Sequence, residues 1–258
     1  MRLSITTELD YAFQAPTDII LQIEAAAIPE QRIEHAHIDL SDVEHFARLP
    51  GHDTIGERIC FQTEGRLKVR YEATVDIRRL DAEIETLAAV PPHDLPAEAV
   101  EYLFPSRYCP ADEFMALVEA EFGDTAGGAR IAAMRDWIAD SIEYRSGSSN
   151  AGTDAMETFV SRCGVCRDFA HLLVTMARAS AIPARFASVY APNVEPQDFH
   201  AVAEVFLEGA WYPVDATGMA TAQDIAKIGV GRDAADVSFL TSYGSAEMRA
   251  QEISVSAL

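Results

Sequence analysis

Three segments in the second half of the chain hold residue types that could carry out nucleophilic catalysis. They are Gly164-Val165-Cys166-Arg167-Asp168, Asp198-Phe199-His200-Ala201 and Trp211-Tyr212-Pro213-Val214-Asp215. A cysteine can attack a carbonyl carbon, a histidine can transfer protons, and an aspartate can orient the histidine. Each segment alone is a weak signal, but their joint occurrence favours one site built from Cys166, His200 and Asp215.

Cys166 stands where a helical pattern begins. Apolar residues recur at helical spacing after it, at Phe169, Leu172, Leu173, Met176 and Ala177. The unpaired N–H groups and partial positive charge at a helix N-terminus stabilise a thiolate there. The helix should end before Pro183, because proline disfavours helical geometry in the preceding residue. Asp168 falls in the first turn, where capping is a more probable role than direct catalysis.

His200 opens the predicted strand at 201–207, and Asp215 ends the predicted strand at 211–215. The connection between these two strands decides whether the two side chains meet. If Glu208 and Gly209 form a two-residue hairpin loop, Asp215 lies on the same face as His200 and diagonal to it. A three-residue loop would point Asp215 to the opposite face. The two-residue register therefore predicts that Asp215 can hold the imidazole.

The remaining chain divides into a β-rich part and a mixed part. Period-two alternation up to about residue 90 predicts strands at 3–13, 18–27, 32–40, 58–64 and 67–77, in a small β-sandwich or barrel. Three prolines in 90–96 mark a boundary, so we predict domains at 1–90 and 91–258. Helical stripes lie at 114–122 and 131–142, a strand at 184–190 and a short helix at 222–228. The final stretch either packs back or frays.

The second half also resembles a known family. The run Gly-Val-Cys-Arg-Asp-Phe-Ala-His around Cys166, Ala181-Ile182-Pro183-Ala184-Arg185, and the segments around His200 and Asp215 look like the core of the transglutaminase-like superfamily. The similarity covers roughly residues 97–220, and the first third is similar to the β-rich N-terminal region of many bacterial members. Val202 and Ala216 replace the family's usual tryptophan and proline, and neither position supplies a proton or a nucleophile.

The resemblance implies an α+β fold with a papain-like core, in which the cysteine helix packs on an antiparallel sheet that bears the histidine and aspartate. Cys166 would attack the carbonyl of a peptide or glutamine amide, His200 would protonate the leaving amine and Asp215 would hold His200. The Cys166 backbone N–H is the first candidate oxyanion donor. Tyr144 and Trp137 are further aromatic candidates, each as easily explained by packing.

The resulting thioester can be resolved in two ways. Water gives a hydrolase, which is a cysteine protease or a deamidase, whereas an amine gives a transglutaminase. We favour the hydrolase, because no segment resembles the calcium-binding or additional domains of animal transglutaminases. The expected partner is a peptide or protein substrate, and nothing in the sequence demands a cofactor or a metal.

Three other interpretations compete with a cysteine acyl-transfer enzyme. Cys163 and Cys166 form a C-x-x-C motif, which could be a redox pair, but the βαβ context of that motif is missing upstream. A histidine-rich segment with loose spacing could bind a metal through His35, His37, His45 and His52, with Asp39, Asp42, Glu44 and Asp53 nearby. The third is a non-catalytic scaffold with the same fold, although such a domain need not keep all three residues.

The negative net charge of the chain limits the classes of molecule that it is expected to bind. The chain has 41 Asp and Glu against 20 Lys and Arg, for a formal net charge of −21. This charge disfavours binding to nucleic acids and to anionic membranes, and it hints at basic substrates or amine donors. The N-terminal residues alternate apolar and polar types, unlike a secretory signal, so we expect a cytoplasmic protein with its four cysteines as thiols.

Overall fold

The computed structural model describes residues 1–79 and 82–258. Within these ranges it has five α-helices: α1 Ala97–Val100, α2 Ala111–Phe122, α3 Gly127–Ser141, α4 Ala155–Ser161 and α5 Cys166–Ala179. The strands are β1 Arg2–Leu21, β2 Gln31–Leu40, β3 Glu44–Pro50, β4 Glu57–Ile77, β5 Glu143–Tyr144, β6 Cys163–Gly164, β7 Ala184–Tyr190, β8 His200–Leu207, β9 Ala210–Val214, β10 Ala226–Gly231, β11 Leu240–Ser242 and β12 Ala246–Ala257. No helix in the described ranges has both the length and the apolar character needed to cross a membrane.

The first sheet is antiparallel and centres on two long strands. β1 pairs with β4 over most of its length, β2 and β3 also pair with β4, and β11 and β12 pair with β1. The predicted alternation at 67–77 is observed, with alternate apolar side chains buried. The predicted strands 3–13 and 18–27 both fall in β1, but β1 ends at Leu21, so residues 22–27 do not form the predicted strand. The pairing of β1 with β4 shifts register between Phe13 and Thr17.

The apolar face of this sheet does not close on itself. Its buried cluster includes Tyr190 of β7 and Ala226 and Ile228 of β10, so the second sheet completes the core. The prediction of a small sandwich or barrel is therefore wrong: the first third forms an open sheet that needs a partner layer. The final residues pack back as β12, while the predicted domain boundary at residue 90 stays a prediction.

The second sheet is also antiparallel, in the order β10-β7-β8-β9, and α5 packs against β7 and β8. Leu172, Leu173 and Met176 of α5 are fully buried in the core between helices and sheet. The predicted helix at 222–228 is wrong, because β10 begins at Ala226 and pairs with β7. A segment this short does not distinguish helix from strand by its periodicity. Pairing with the free edge of β7 selects the strand. The predicted α+β class with antiparallel sheets is confirmed.

A buried ionic network centres on Glu204 of β8 and reaches the first sheet through Lys227. Its carboxylate lies 2.7 Å from Arg185 and 2.6 Å from Lys227, and Lys227 lies 2.6 Å from Glu30 next to β2. Burial alone would raise the pKa of Glu204, but the charges of Lys227 and Arg185 outweigh it and lower the pKa to about 2. Glu204 therefore remains a carboxylate at neutral pH, and two buried cations depend on it.

We expect Glu204→Gln to lower the free energy of unfolding by about 3 kcal/mol, because removing one partner leaves buried charge uncompensated. Urea denaturation at pH 7 measures this loss. The control is Glu121→Gln on the exposed side of α2, which should change stability by less than about 0.5 kcal/mol. Equal stability of the Glu204 variant and the control would contradict the role assigned to the network.

Candidate active site

Cys166 is the first residue of α5, and the local sequence fixes that start. Val165 precedes it in extended conformation, and Asp168 Oδ2 accepts a 2.9 Å hydrogen bond from the Val165 backbone N–H. Asp168 is fully buried and acts as the predicted cap. A Cβ at Gly164 would lie 2.8 Å from Cβ of Asp168, so this close approach requires glycine. The thiol is thereby held, partly exposed, at a helix N-terminus.

The predicted two-residue hairpin between β8 and β9 is confirmed. Glu208 and Gly209 form its loop with φ of 48° and 84°, values typical of tight hairpins. With this register, Asp215 directly follows β9 on the side of His200. The His200 Nε2 and Asp215 Oδ2 atoms lie 2.9 Å apart, and both side chains are almost completely buried.

Asp215 is held rigidly by the residues that follow it. Its carboxylate accepts hydrogen bonds from the Thr217 N–H at 2.8 Å, the Thr217 hydroxyl at 2.8 Å and the Ala220 N–H at 2.9 Å. Burial alone would raise the pKa of Asp215, but the bond to His200 and these further donors lower it. The aspartate is therefore ionised and fixed in position to orient the imidazole.

The second ring nitrogen of His200, Nδ1, is not bound to Asp215 and is available to the cysteine. Nδ1 is buried and has no hydrogen-bond partner among the described residues. Burial alone would lower the pKa of His200, but the hydrogen bond with Asp215 and the negative charges of Cys166 and Asp215 outweigh it, raising the pKa to about 10. The Cys166 sulfur also lies 3.9 Å from the Phe199 carbonyl oxygen. The structure thus brings the three predicted residues together.

The raised pKa of His200 makes stability depend on pH with a definite sign. The stabilisation from the charged ring is fully present below the unfolded value of 6.5 and is lost as pH rises toward the folded value of about 10. We expect the stability advantage of the wild type over His200→Gln to be constant below about pH 6.5 and to shrink above it, by about 1.4 kcal/mol per pH unit.

Urea denaturation of both proteins at pH 6, 8 and 9.5 measures this difference. His93→Gln is the control, because the His93 side chain is 81% exposed and should show no such trend. An advantage of the wild type that grows with pH would contradict the assignment.

Tyr144 joins the site, although its sequence position gave no reason to prefer it over packing. β5 pairs in parallel with β6, which places Tyr144 opposite Gly164 and next to the cysteine helix. Burial first, and then the negative charge of Cys166, raise the pKa of Tyr144 to about 12. Trp137, the other aromatic candidate, stacks on Phe159 in the helical core.

The C-x-x-C motif lacks a thioredoxin-like setting in the described part of the chain. Cys163 lies in β6, a two-residue strand that pairs only with the equally short β5 within the described ranges. Cys163 and Cys166 are both thiols in the structure. A redox pair would need a βαβ unit around the motif, so this interpretation gains no structural support.

The histidine-rich segment is not assembled into the metal site considered from sequence. His35 and His37 lie on the exposed strand β2, where His37 pairs with Asp39 at 3.0 Å. Among the described residues, one group has ligand-like spacing: His52, Asp53 and Glu101, with donor atoms within 4.8 Å of one another. Asp53 already binds Arg185 at 2.9 Å, which occupies part of its carboxylate.

A cavity of about 310 Å³ opens beside the cysteine and the histidine. Its wall includes Cys166 and His200, the aromatic residues Phe199 and Phe239, and Gln251 from β12. Three distant parts of the chain therefore shape one cleft. The cleft is large enough to admit a side chain or a short peptide segment next to the thiol.

Comparison with known proteins shows which family shares this sequence and this architecture. The family model of the transglutaminase-like superfamily matches residues 117–216, which include all three site residues. The crystal structure of a "putative cysteine protease" from Cytophaga hutchinsonii is 32% identical in sequence, covers 100% of this chain and 91% of that chain, and superposes with a TM-score of 0.94. The chain belongs to the transglutaminase-like superfamily.

Two further relatives extend this comparison of the transglutaminase-like chain. An uncharacterised protein of Mycobacterium leprae is 27% identical over 168 residues, or 60% of this chain and 57% of the relative, so the match spans little more than half of that relative's length. The periplasmic domain of TgpA from Pseudomonas aeruginosa shares 17% identity over 83% of this chain and 76% of that one, with a TM-score of 0.42. The family match and the structure from C. hutchinsonii support a cysteine-type enzyme.

Proposed function

We propose that this transglutaminase-like protein is a cysteine hydrolase, a protease or deamidase, that acts on peptide or glutamine amides through a Cys166 thioester. The observation that carries the proposal is that the two ring nitrogens of His200 have different surroundings. Its Nε2 is bound to the ionised Asp215, while its Nδ1 is buried, unpartnered and next to the nucleophile. This is the arrangement that proton transfer to and from a thiol requires.

The first half of the reaction transfers the acyl group to the enzyme. His200 Nδ1 takes the thiol proton, which the raised pKa of the ring favours. The Cys166 sulfur then forms a bond to the amide carbon, and the C–N bond breaks. The departing amine or ammonia takes the proton from Nδ1, which leaves a thioester and a neutral imidazole.

The second half releases the acid. Water gives a proton to His200 Nδ1 and its oxygen bonds to the thioester carbon, whereupon the C–S bond breaks and the thiol is restored. The Cys166 backbone N–H at the start of α5 is positioned to stabilise the anionic oxygen of each tetrahedral intermediate. The Tyr144 phenol lies beside the same residue. We propose it as a positioning group for the sulfur.

The test compares wild type with Cys166→Ala on a glutamine-containing protein, with and without a labelled primary amine. Mass spectrometry scores three products: released ammonia, incorporated label and cleaved peptide. Cysteine-dependent ammonia or cleavage without label supports the hydrolase. Cysteine-dependent label incorporation would instead establish a transglutaminase, and the absence of any Cys166-dependent product would favour a scaffold.

A further inference from the structure

The cleft beside Cys166 contains a pair of polar side chains that the proposed reaction does not use. Gln251 Nε2 donates a 2.7 Å hydrogen bond to Asp198 Oδ1, which also accepts from the Phe199 N–H at 2.7 Å. Asp198 lies two residues before His200, whereas Gln251 comes from β12 at the far end of the chain. Both line the cavity that holds the thiol.

This pair presents hydrogen-bond acceptors without matching donors. An ionised carboxylate only accepts, so the amide nitrogen of Gln251 must face Asp198. That orientation leaves Gln251 Oε1 buried with no partner among the described residues. Asp198 Oδ2 has no hydrogen bond to any described residue either, but Asp198 is exposed, so solvent or a ligand can reach its carboxylate. A buried acceptor without a donor is costly, so a ligand that donates hydrogen bonds would stabilise this corner of the cleft.

The charge in this corner is also uncompensated. No described residue forms an ion pair with Asp198, and partial burial raises the pKa of its carboxyl, as expected for an acid without a cationic neighbour. Arg167 lines the same cavity, but its guanidinium is bound to the buried Asp168 at 2.9 Å and to the Asn150 carbonyl at 2.8 Å. Arg167 therefore neutralises another carboxylate, and the ring of His200, which also lines this cavity, is paired with Asp215.

Aromatic rings line the same cavity as Asp198 and Gln251. Phe199 and Phe239 stack with ring centroids 4.6 Å apart, and both line the cavity. Aromatic faces attract ammonium and guanidinium groups and pack against the aliphatic stems of lysine and arginine. The acceptors, the unpaired negative charge and these rings together match the chemistry of a basic side chain.

We propose that Asp198 and Gln251 form a subsite for a lysine or arginine side chain of the peptide substrate, close to the acyl group that Cys166 attacks. The inference rests on the proposed function and adds a substrate class to it. The net charge of −21 would draw such basic substrates toward the protein.

The test uses pairs of peptidyl acyloxymethyl ketones that differ only in arginine or its neutral isostere citrulline, placed at the residue bearing the reactive carbonyl or at the one before it. Mass spectrometry follows the labelling rate of Cys166. We expect the arginine probe of at least one pair to react at least tenfold faster. Asp198→Asn should reduce that preference to less than about threefold, and Asp140→Asn, an equal charge change on the exposed side of α3, should keep it.

A binding measurement separates this inference from the proposed function. Isothermal titration of Cys166→Ala with the corresponding arginine and citrulline peptide amides should show at least tenfold tighter binding of arginine. Rapid Cys166 labelling with equal rates for both probes, or equal affinities for both peptides, would overturn the subsite. Tighter binding of arginine together with Cys166 labelling no faster than that of Cys163 would support the subsite and overturn the cysteine chemistry.

Discussion

Replacing Cys166 with alanine should reduce turnover by about 10⁴-fold or more, because the alanine variant has no atom that can form the thioester. The thiol is partly exposed at the start of α5 and lines the same cavity as His200, its proposed proton acceptor. The initial rate of ammonia release or peptide cleavage on a substrate of the wild type measures the loss. Far-ultraviolet circular dichroism should show an unchanged fold.

The matched control for this substitution is Cys163→Ser, three residues upstream. Cys163 lies in β6 and is not among the described residues that line the cavity shared by Cys166 and His200. We expect its variant to keep activity within about threefold of the wild type, as for a surface substitution away from the reacting atoms. If Cys163→Ser and Cys166→Ser lost activity equally, the C-x-x-C redox interpretation would replace the acyl-transfer mechanism.

Asp215→Asn should reduce kcat by about 10⁴-fold, the loss seen when the aspartate of a comparable triad loses its charge. Asp215 is one of the groups that raise the pKa of His200. Its neutralisation should lower that pKa, so the alkaline limb of the pH–rate profile should move to lower pH. The profile separates a positioning role from general loss of structure, because an unfolded fraction reduces the rate without moving the limb.

The control for the charge change is Asp124→Asn in the exposed segment between α2 and α3, which should leave both rate and profile unchanged. Thr217→Val offers a graded comparison, because it removes one hydroxyl donor to Asp215 but keeps the carboxylate. We expect a smaller loss there than for Asp215→Asn. An Asp215→Asn enzyme with wild-type kcat would contradict the role of the aspartate.

The sequence was most informative where local rules fix geometry. The helical pattern after Val165 places Cys166 at a helix N-terminus, and Asp168 caps that helix as its position in the first turn predicts. The parity of a two-residue hairpin brings Asp215 to His200. Each of these outcomes depends on side-chain periodicity over fewer than twenty residues, so no distant contact was needed to predict it.

Predictions failed where a distant segment decides the local structure. Residues 222–228 mix apolar and polar types in a pattern that suits either helix or strand, and pairing of β10 with β7 selects the strand. The first third predicts a self-contained sandwich or barrel, but its sheet shares a core with β7 and β10. The location of the protein in the cytoplasm stays a prediction from sequence.

The sequence by itself determined the cysteine helix and the strand hairpin, and therefore the position of Cys166 at a helix N-terminus and the meeting of His200 with Asp215. Only the tertiary structure decided that α5 packs against β8, which brings Cys166 to His200, and which other side chains surround the site. Gln251 reaches the cleft because β12 returns to pair with β1, and Lys227 and Arg185 converge on Glu204 because β10, β7 and β8 are adjacent strands of one sheet. These contacts join residues that are far apart in the chain, and such pairings follow from the packing of whole layers rather than from any local periodicity.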